Sequence, residues 1–229
     1  MHVKLAAILL YRFVDMTTET YNQAVLALAL AGIDAINTSA SQHKAQRTPA
    51  QESHFLCNWM VESLKTKRFS KLVADDLTAW IRQARSQGAG AQLKRLLTCI
   101  ADQYQQANNS PIATGTGLKN LLTELAAKQW VIITDTDIDA KLKLDSDGQS
   151  SLIISATAFN QHIVDDKIVK PISMYIRGDE KVVAQLALTQ GLLLSQGNKK
   201  TTLIKHHKTY ILRPKNLHPS LCLLCLEQY

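Results

Sequence analysis

Several things are scarce in this chain, and each scarcity excludes a class of protein. Only four cysteines occur, Cys57, Cys99, Cys222 and Cys225, too few and too scattered for the disulfide framework of a small secreted domain. Cys57 and Cys99 fall in apolar helical patterns, where a buried free thiol is expected. No segment offers about 18 consecutive apolar residues, so no membrane span is expected. The apolar run Leu5–Leu10 is short and closed by Arg12, with no clean small-residue cleavage site after it, which argues against a secretory leader. Met16 offers a second natural start, which would make residues 1–15 an extension. A cytoplasmic protein is the resulting expectation.

Catalytic signatures are equally sparse. Gly115-Thr116-Gly117 precedes a helix, but it follows a turn and lacks the lysine and third glycine of a phosphate loop. No Ser-His-Asp or Cys-His order stands out. Asp135, Asp137 and Asp139 alternate, and Asp139-Ala140-Lys141 matches the end of a metal-dependent nuclease pattern. Such a site needs carboxylates gathered from separate elements around Mg²⁺. A three-residue match is common by chance, and a polar loop between strands is the plainer reading of the same acids. Asp145-Ser146-Asp147-Gly148 starts like a calcium loop, but its glycine comes too early and no glutamate closes it. Cys222-Leu223-Leu224-Cys225 with His218 has zinc-like spacing, yet a structural site takes four ligands and no second pair of cysteines exists. Neither an enzyme nor a bound cofactor or metal is expected.

Acidic residues are missing from one stretch in particular. Between Glu180 and Glu227 there is no Asp or Glu, whereas Lys181, Lys199, Lys200, Lys205, Lys208, Arg213 and Lys215 lie within it, interleaved with His206, His207 and His218. The whole chain carries a formal net charge of +7. A projecting β-hairpin rich in Lys and Arg is suited to follow a phosphate backbone. Lys199, Lys200, Lys205, His207, Lys208, Arg213 and Lys215 are therefore the expected nucleic-acid contacts; a solvated strand edge guarded by lysines is the plainer reading. A second cationic group is Lys65, Lys67, Arg68 and Lys71, followed by Arg82, Arg85, Lys94 and Arg95. On helices these read as an ordinary solvated face.

What is present is a strong helical pattern. Tyr21, Val25, Leu28, Ala29 and Ile33 recur at helical spacing after a cap at Thr17 or Thr18. Thr48-Pro49 starts a second helix striped by Phe55, Leu56, Trp59, Met60 and Leu64. Ser70 opens a third, which Gly88 and Gly90 break, and Leu93 to Tyr104 mark a fourth. Asn108-Asn109-Ser110-Pro111 is the expected boundary between a helical domain, 1–108, and a second domain, 112–229. The second domain reads as a helix around Leu118–Leu125, a strand Trp130–Thr134, a hairpin of Lys141–Leu144 with Ser151–Ile154, a helix capped by Ser155, and a helix opened by Asp179-Glu180. Two β-like runs, Thr201–Ile204 and Thr209–Leu212, and an apolar strand Leu221–Leu226 complete it. The expected class is α+β, mainly α, with a helical layer followed by a winged-helix-like half.

Two segments carry a family resemblance. They are Leu144-Asp-Ser-Asp-Gly148-Gln-Ser-Ser-Leu152-Ile-Ile-Ser155-Ala-Thr-Ala-Phe159, and Arg213-Pro-Lys-Asn-Leu217-His218 with the basic run before it. Their pattern and order resemble the C-terminal domain of the large conjugative relaxases of the TraI/MobH type, over residues 115–229. Ala156 stands where that family has proline after the capping serine, and the metal-binding His/Asp motif of its catalytic region is missing. The resemblance implies a DNA-associated accessory module of a bacterial mobile element, without nicking activity. DNA is thus expected over RNA as the partner, and self-association or other subunits remain open. The rival reading is an assembly module of a multi-protein machine, with an apolar groove or dimer face in the helical half. The third is the metal-dependent nuclease, through Asp137, Asp139 and Lys141.

Overall fold

The computed structural model describes residues 19–41, 47–110, 113–141, 148–198 and 202–224. It is an α+β protein in which helices predominate. The expected cap at Thr17 or Thr18 lies outside the described residues.

Four helices build the first layer: α1 Tyr21–Ser41, α2 Pro49–Lys65, α3 Ala74–Gln87 and α4 Leu93–Asn109. α2 starts where the sequence requires. Thr48 Oγ1 accepts from the Gln51 backbone N–H, and Gln51 Oε1 accepts from the Thr48 N–H at 2.9 Å, a reciprocal cap that satisfies two otherwise orphaned donors. Ser70 caps a 3₁₀ turn, Lys71–Val73, rather than α3 itself. Gly88 ends α3, and Gln92, in the left-handed region at φ 45°, turns the chain into α4. Val25, Leu28, Leu56, Met60, Leu97 and Ile100 fill the space between the helices.

α1 is long and apolar enough by length and composition to cross a membrane, although the sequence offers no unbroken apolar run of that length. Here it lies against α4 and α2. Gly32 permits that approach: a Cβ on it would stand 2.6 Å from Leu97 Cδ1 and 3.2 Å from the Trp59 ring.

The second layer contains α5 Gly115–Ala127, β1 Val131–Ile133, β2 Ser151–Ile153, α6 Ala156–Gln161, β3 Ile163–Val164, β4 Lys167–Ile168, β5 Ile172–Arg177, α7 Glu180–Thr189, β6 Leu194–Gln196 and β7 Lys208–Leu212. Five strands form one mixed sheet in the order β1-β2-β5-β7-β6. β1 and β2 are parallel, and every other pairing is antiparallel. Leu118, Leu121, Leu125, Val183 and Ala187 from α5 and α7 cover one face of it, against Leu152, Met174, Ile176, Tyr210 and Leu212. On the opposite face Ile138 and Ile204 pack on Ile153 and Tyr175.

Three expectations need correction. Thr202 and Leu203, of the expected strand Thr201–Ile204, are not in a strand, and β7 pairs instead with β5 and β6. β2 is not the return strand of a local hairpin with Lys141–Leu144: β1 occupies one of its edges and β5 the other, so both rows of backbone groups are taken. Residues 142–147, the rest of that expected hairpin, lie outside the described residues. The sequence also gave no strand at Ile172–Arg177, yet β5 is the middle strand of the sheet. Its Ile172, Met174, Tyr175 and Ile176 are all buried, so it lacks the inside–outside alternation of a half-exposed strand. Of the expected strand Leu221–Leu226, Cys222 bridges Ser195 and the Leu223 N–H donates to the Leu194 carbonyl at 2.7 Å, which covers the edge of β6.

The two layers are packed together. Leu188, Leu193 and Cys222 belong to the core of the helical layer. The Cys222 N–H donates to Tyr104 Oη at 3.0 Å, and Asn22 Nδ2 donates to the Asn216 carbonyl at 2.7 Å.

Candidate nucleic-acid interface

The late cations sit on β7 and its flanks, and the pleat sorts them. Lys208, Tyr210 and Leu212 alternate toward the face that carries α7. Lys208 Nζ reaches Glu180 Oε2 at 3.0 Å, and Tyr210 Oη donates to the same carboxylate. Glu180 lies in the first turn of α7, whose Asp179 cap accepts from the Lys181 N–H at 2.9 Å. The hydrogen bond from Tyr210, followed by Lys208, holds the Glu180 carboxyl below its usual range, while burial opposes them. The Tyr210 hydroxyl is pushed up by burial and by that carboxylate. Lys208 is thus an ion-paired side chain, by an acid 28 residues away that no local pattern announced.

His207, expected among the phosphate contacts, is instead buried, at 4% exposure. Its Nδ1 lies 3.0 Å from the Lys205 carbonyl, which can only accept, so Nδ1 carries the proton. Nε2 then accepts from Ser151 Oγ at 2.8 Å. Burial is the main reason its pKa is lowered, which keeps the ring neutral. This Ser–His contact resembles a nucleophile with its base, but Ser151 is fully buried.

Lys205 and His206 occupy the exposed turn before β7, with His206 left-handed at φ 67°. At the other end of the strand, Arg213 is half-buried and Lys215 is exposed. Behind them His218 is buried, with Nδ1 2.8 Å from Ser195 Oγ. Burial first, and then the Arg213 charge, depress its pKa to about 4. Lys199 and Lys200 lie outside the described residues. The structure therefore places Lys205 and Lys215 beyond opposite ends of a five-residue strand, about 16 Å long at the usual rise per residue.

Two of the remaining sequence motifs serve as helix caps. Asp137 Oδ1 accepts from the Thr157 N–H at 2.8 Å and from Ser155 Oγ at 2.9 Å, and so caps α6 in place of Ser155. Those bonds lower the Asp137 pKa. The N-terminus of α5 is filled by Asp166, whose Oδ1 accepts from the Thr116 N–H at 2.6 Å and from Thr116 Oγ1. Gly115 is required there, since a Cβ would lie 2.5 Å from Ile163 Cγ2. Cys222 is buried, with its thiol pushed up to about 12 by burial, and Cys225 lies outside the described residues. Among the described residues no group of three or more His, Cys, Asp or Glu side chains is arranged to hold a metal ion.

The second cationic group is organised more tightly than its sequence spacing implied. Lys65, Arg82 and Arg85 line a groove of about 350 Å³ between α2 and α3, floored by Val61, Leu64 and Ile81. Arg68 stacks over Trp59 and Phe69, at 5.6 and 5.5 Å from the ring centroids. A larger cleft of about 670 Å³ opens where α2, α4 and α7 meet, bordered by Gln92, Asp102, Gln106 and Gln185 and by the Glu52–Lys94 ion pair at 2.7 Å. Helix-to-helix packing builds both, so neither had a contiguous sequence signal.

The architecture is thus an α+β one, a helical layer packed on a mixed sheet with an exposed cationic fringe. Residues 20–225 match the family described as "Protein of unknown function (DUF2913)", and the chain belongs to that family. The match spans both layers. No curated protein and no solved structure is similar to the chain.

Proposed function

We propose that this is a non-catalytic, cytoplasmic accessory protein that contacts nucleic acid, DNA in preference to RNA, through the strand ends of β7. Residues 112–229 act in this reading as a winged-helix-like half. The association with a bacterial mobile or conjugative element rests on the relaxase resemblance alone. One observation carries the reading. Lys205 and Lys215 are exposed at opposite ends of β7, and no described carboxylate pairs with either. A phosphate backbone running along β7 would meet Lys205 at one end and Lys215, with the half-buried Arg213 beside it, at the other. Such contacts are indifferent to base sequence, so weakly specific binding is the expected mode.

A salt titration of a labelled DNA duplex tests this. Affinity should fall steeply as salt rises, with a log–log slope of about −0.9 per phosphate contact on B-DNA. The double variant K205E/K215E should flatten that slope by about two and weaken binding at low salt. Binding that is absent at low salt, or unchanged in the double variant, refutes the proposal.

A further inference from the structure

We propose that the groove between α2 and α3 is a docking site for an acidic, amphipathic segment of a protein partner. The floor is aliphatic, from Val61, Leu64 and Ile81, and the rim is cationic, from Lys65, Arg82 and Arg85. Those three cations are exposed, and no described carboxylate pairs with them. Glu62, the nearest acid along α2, is exposed and leaves Lys65 unpaired. Asp76, at the start of α3, is engaged elsewhere, accepting from Tyr21 Oη at 2.8 Å. The rim therefore keeps its positive charge for an external group.

The composition of the groove selects its occupant. A phosphate chain is charged throughout and has nothing to bury against an aliphatic floor. Bases bind by stacking on aromatic rings, and this floor has none. A helix or extended peptide with Leu or Ile on one side and Glu or Asp beside them matches floor and rim together. The groove's volume, about 350 Å³, admits a few aliphatic side chains. Leu72, in the connection between the two helices, is 47% exposed.

The test uses the full chain and a fluorescein-labelled peptide in which Leu at every third or fourth position is flanked by Glu. Fluorescence anisotropy should show saturable binding that R82E/R85E weakens at least tenfold. K205E/K215E should leave it unchanged. Replacing the peptide's leucines by serine should also cost at least tenfold, because an apolar floor and not charge alone is proposed. Equal binding of the serine peptide overturns the proposal, as does insensitivity to R82E/R85E. If a DNA oligonucleotide binds and R82E/R85E abolishes that binding instead, the surface belongs to nucleic acid and the peptide assignment fails. A concentration-dependent dimer that disappears in R82E/R85E would assign the groove to a second copy, and also overturns it. The nucleic-acid reading of β7 stands or falls separately, on K205E/K215E with DNA.

Discussion

Asn22 and Asn216 are 194 residues apart, yet Asn22 Nδ2 donates to the Asn216 carbonyl at 2.7 Å in a buried contact. Asn216 is left-handed at φ 53°. Its own side chain accepts from the Leu193 N–H at 3.0 Å and donates to the Gly191 carbonyl at 2.7 Å. One residue thus fastens the chain after β7, the chain before β6 and the first helix.

Asn216→Ala should destabilise the protein by roughly 2–4 kcal/mol, from two lost buried hydrogen bonds and a strained left-handed backbone. Asn216→Gly should cost about 1 kcal/mol less, because glycine accepts that φ freely. Urea denaturation of both variants checks this. Equal losses would mean that the backbone contributes nothing.

Glu180→Gln should remove the ion pair with Lys208 while keeping an acceptor for Tyr210. Solvent reaches both charges, whose side chains are 59% and 35% exposed, so the stability loss at neutral pH should be no more than about 1 kcal/mol. The wild-type carboxyl is held below its usual range, so its stabilisation is present above the unfolded-state value and disappears as pH falls through the folded one. Under the DNA-binding proposal the variant also frees Lys208 and should bind DNA tighter than wild type. Weaker DNA binding by E180Q would contradict that account.

His218 should make the protein acid-sensitive. Its folded pKa of about 4 lies below the unfolded value of about 6.5, so the unfolded chain takes up a proton first as pH falls. Stability should be full above about pH 6.5 and decline toward pH 4, by on the order of 1.4 kcal/mol per pH unit for one proton. His207, also depressed, acts in the same direction. Denaturation midpoints of wild type and His218→Gln at pH 7.5, 6 and 5 test this. The variant should start less stable and lose less on acidification; parallel curves would exclude His218 as the cause.

Gly32→Ala should cost about 1–3 kcal/mol, since its Cβ would overlap Leu97 Cδ1. Shortening Leu97 alone leaves a cavity and costs roughly 2–5 kcal/mol. The double variant G32A/L97A should cost less than the sum, with a coupling above about 0.5 kcal/mol. Strict additivity would show that α1 and α4 adjust without strain.

Much of the helical layer was legible because its signals are local. Thr48, Pro49 and Gln51 lie within one turn, and their cap fixes where α2 starts. Asp179 does the same for α7, and Gly88 ends α3. β5 was not legible, because a strand covered on both faces shows no alternation to distinguish it from other apolar runs. The parallel β1–β2 pair was misread for a related reason: Ser151–Ile153 marks a strand but carries no sign of its partner. At the candidate sites the cations themselves were visible. The groove was not, since Lys65 and Arg82 belong to different helices whose apposition depends on packing.

The chain by itself determined the starts of α2 and α7, the net charge of +7 and the cationic run around β7, all properties of neighbouring residues or of simple sums. The tertiary structure decided what those cations do. Successive side chains of a strand point to opposite faces, so a contiguous basic run is divided between surroundings. Lys208 turns toward α7 and meets Glu180, whereas His207 turns to the other face and is buried against Ser151. Which face is which depends on the register of β7 with β5, and that register is set by contacts distant in sequence.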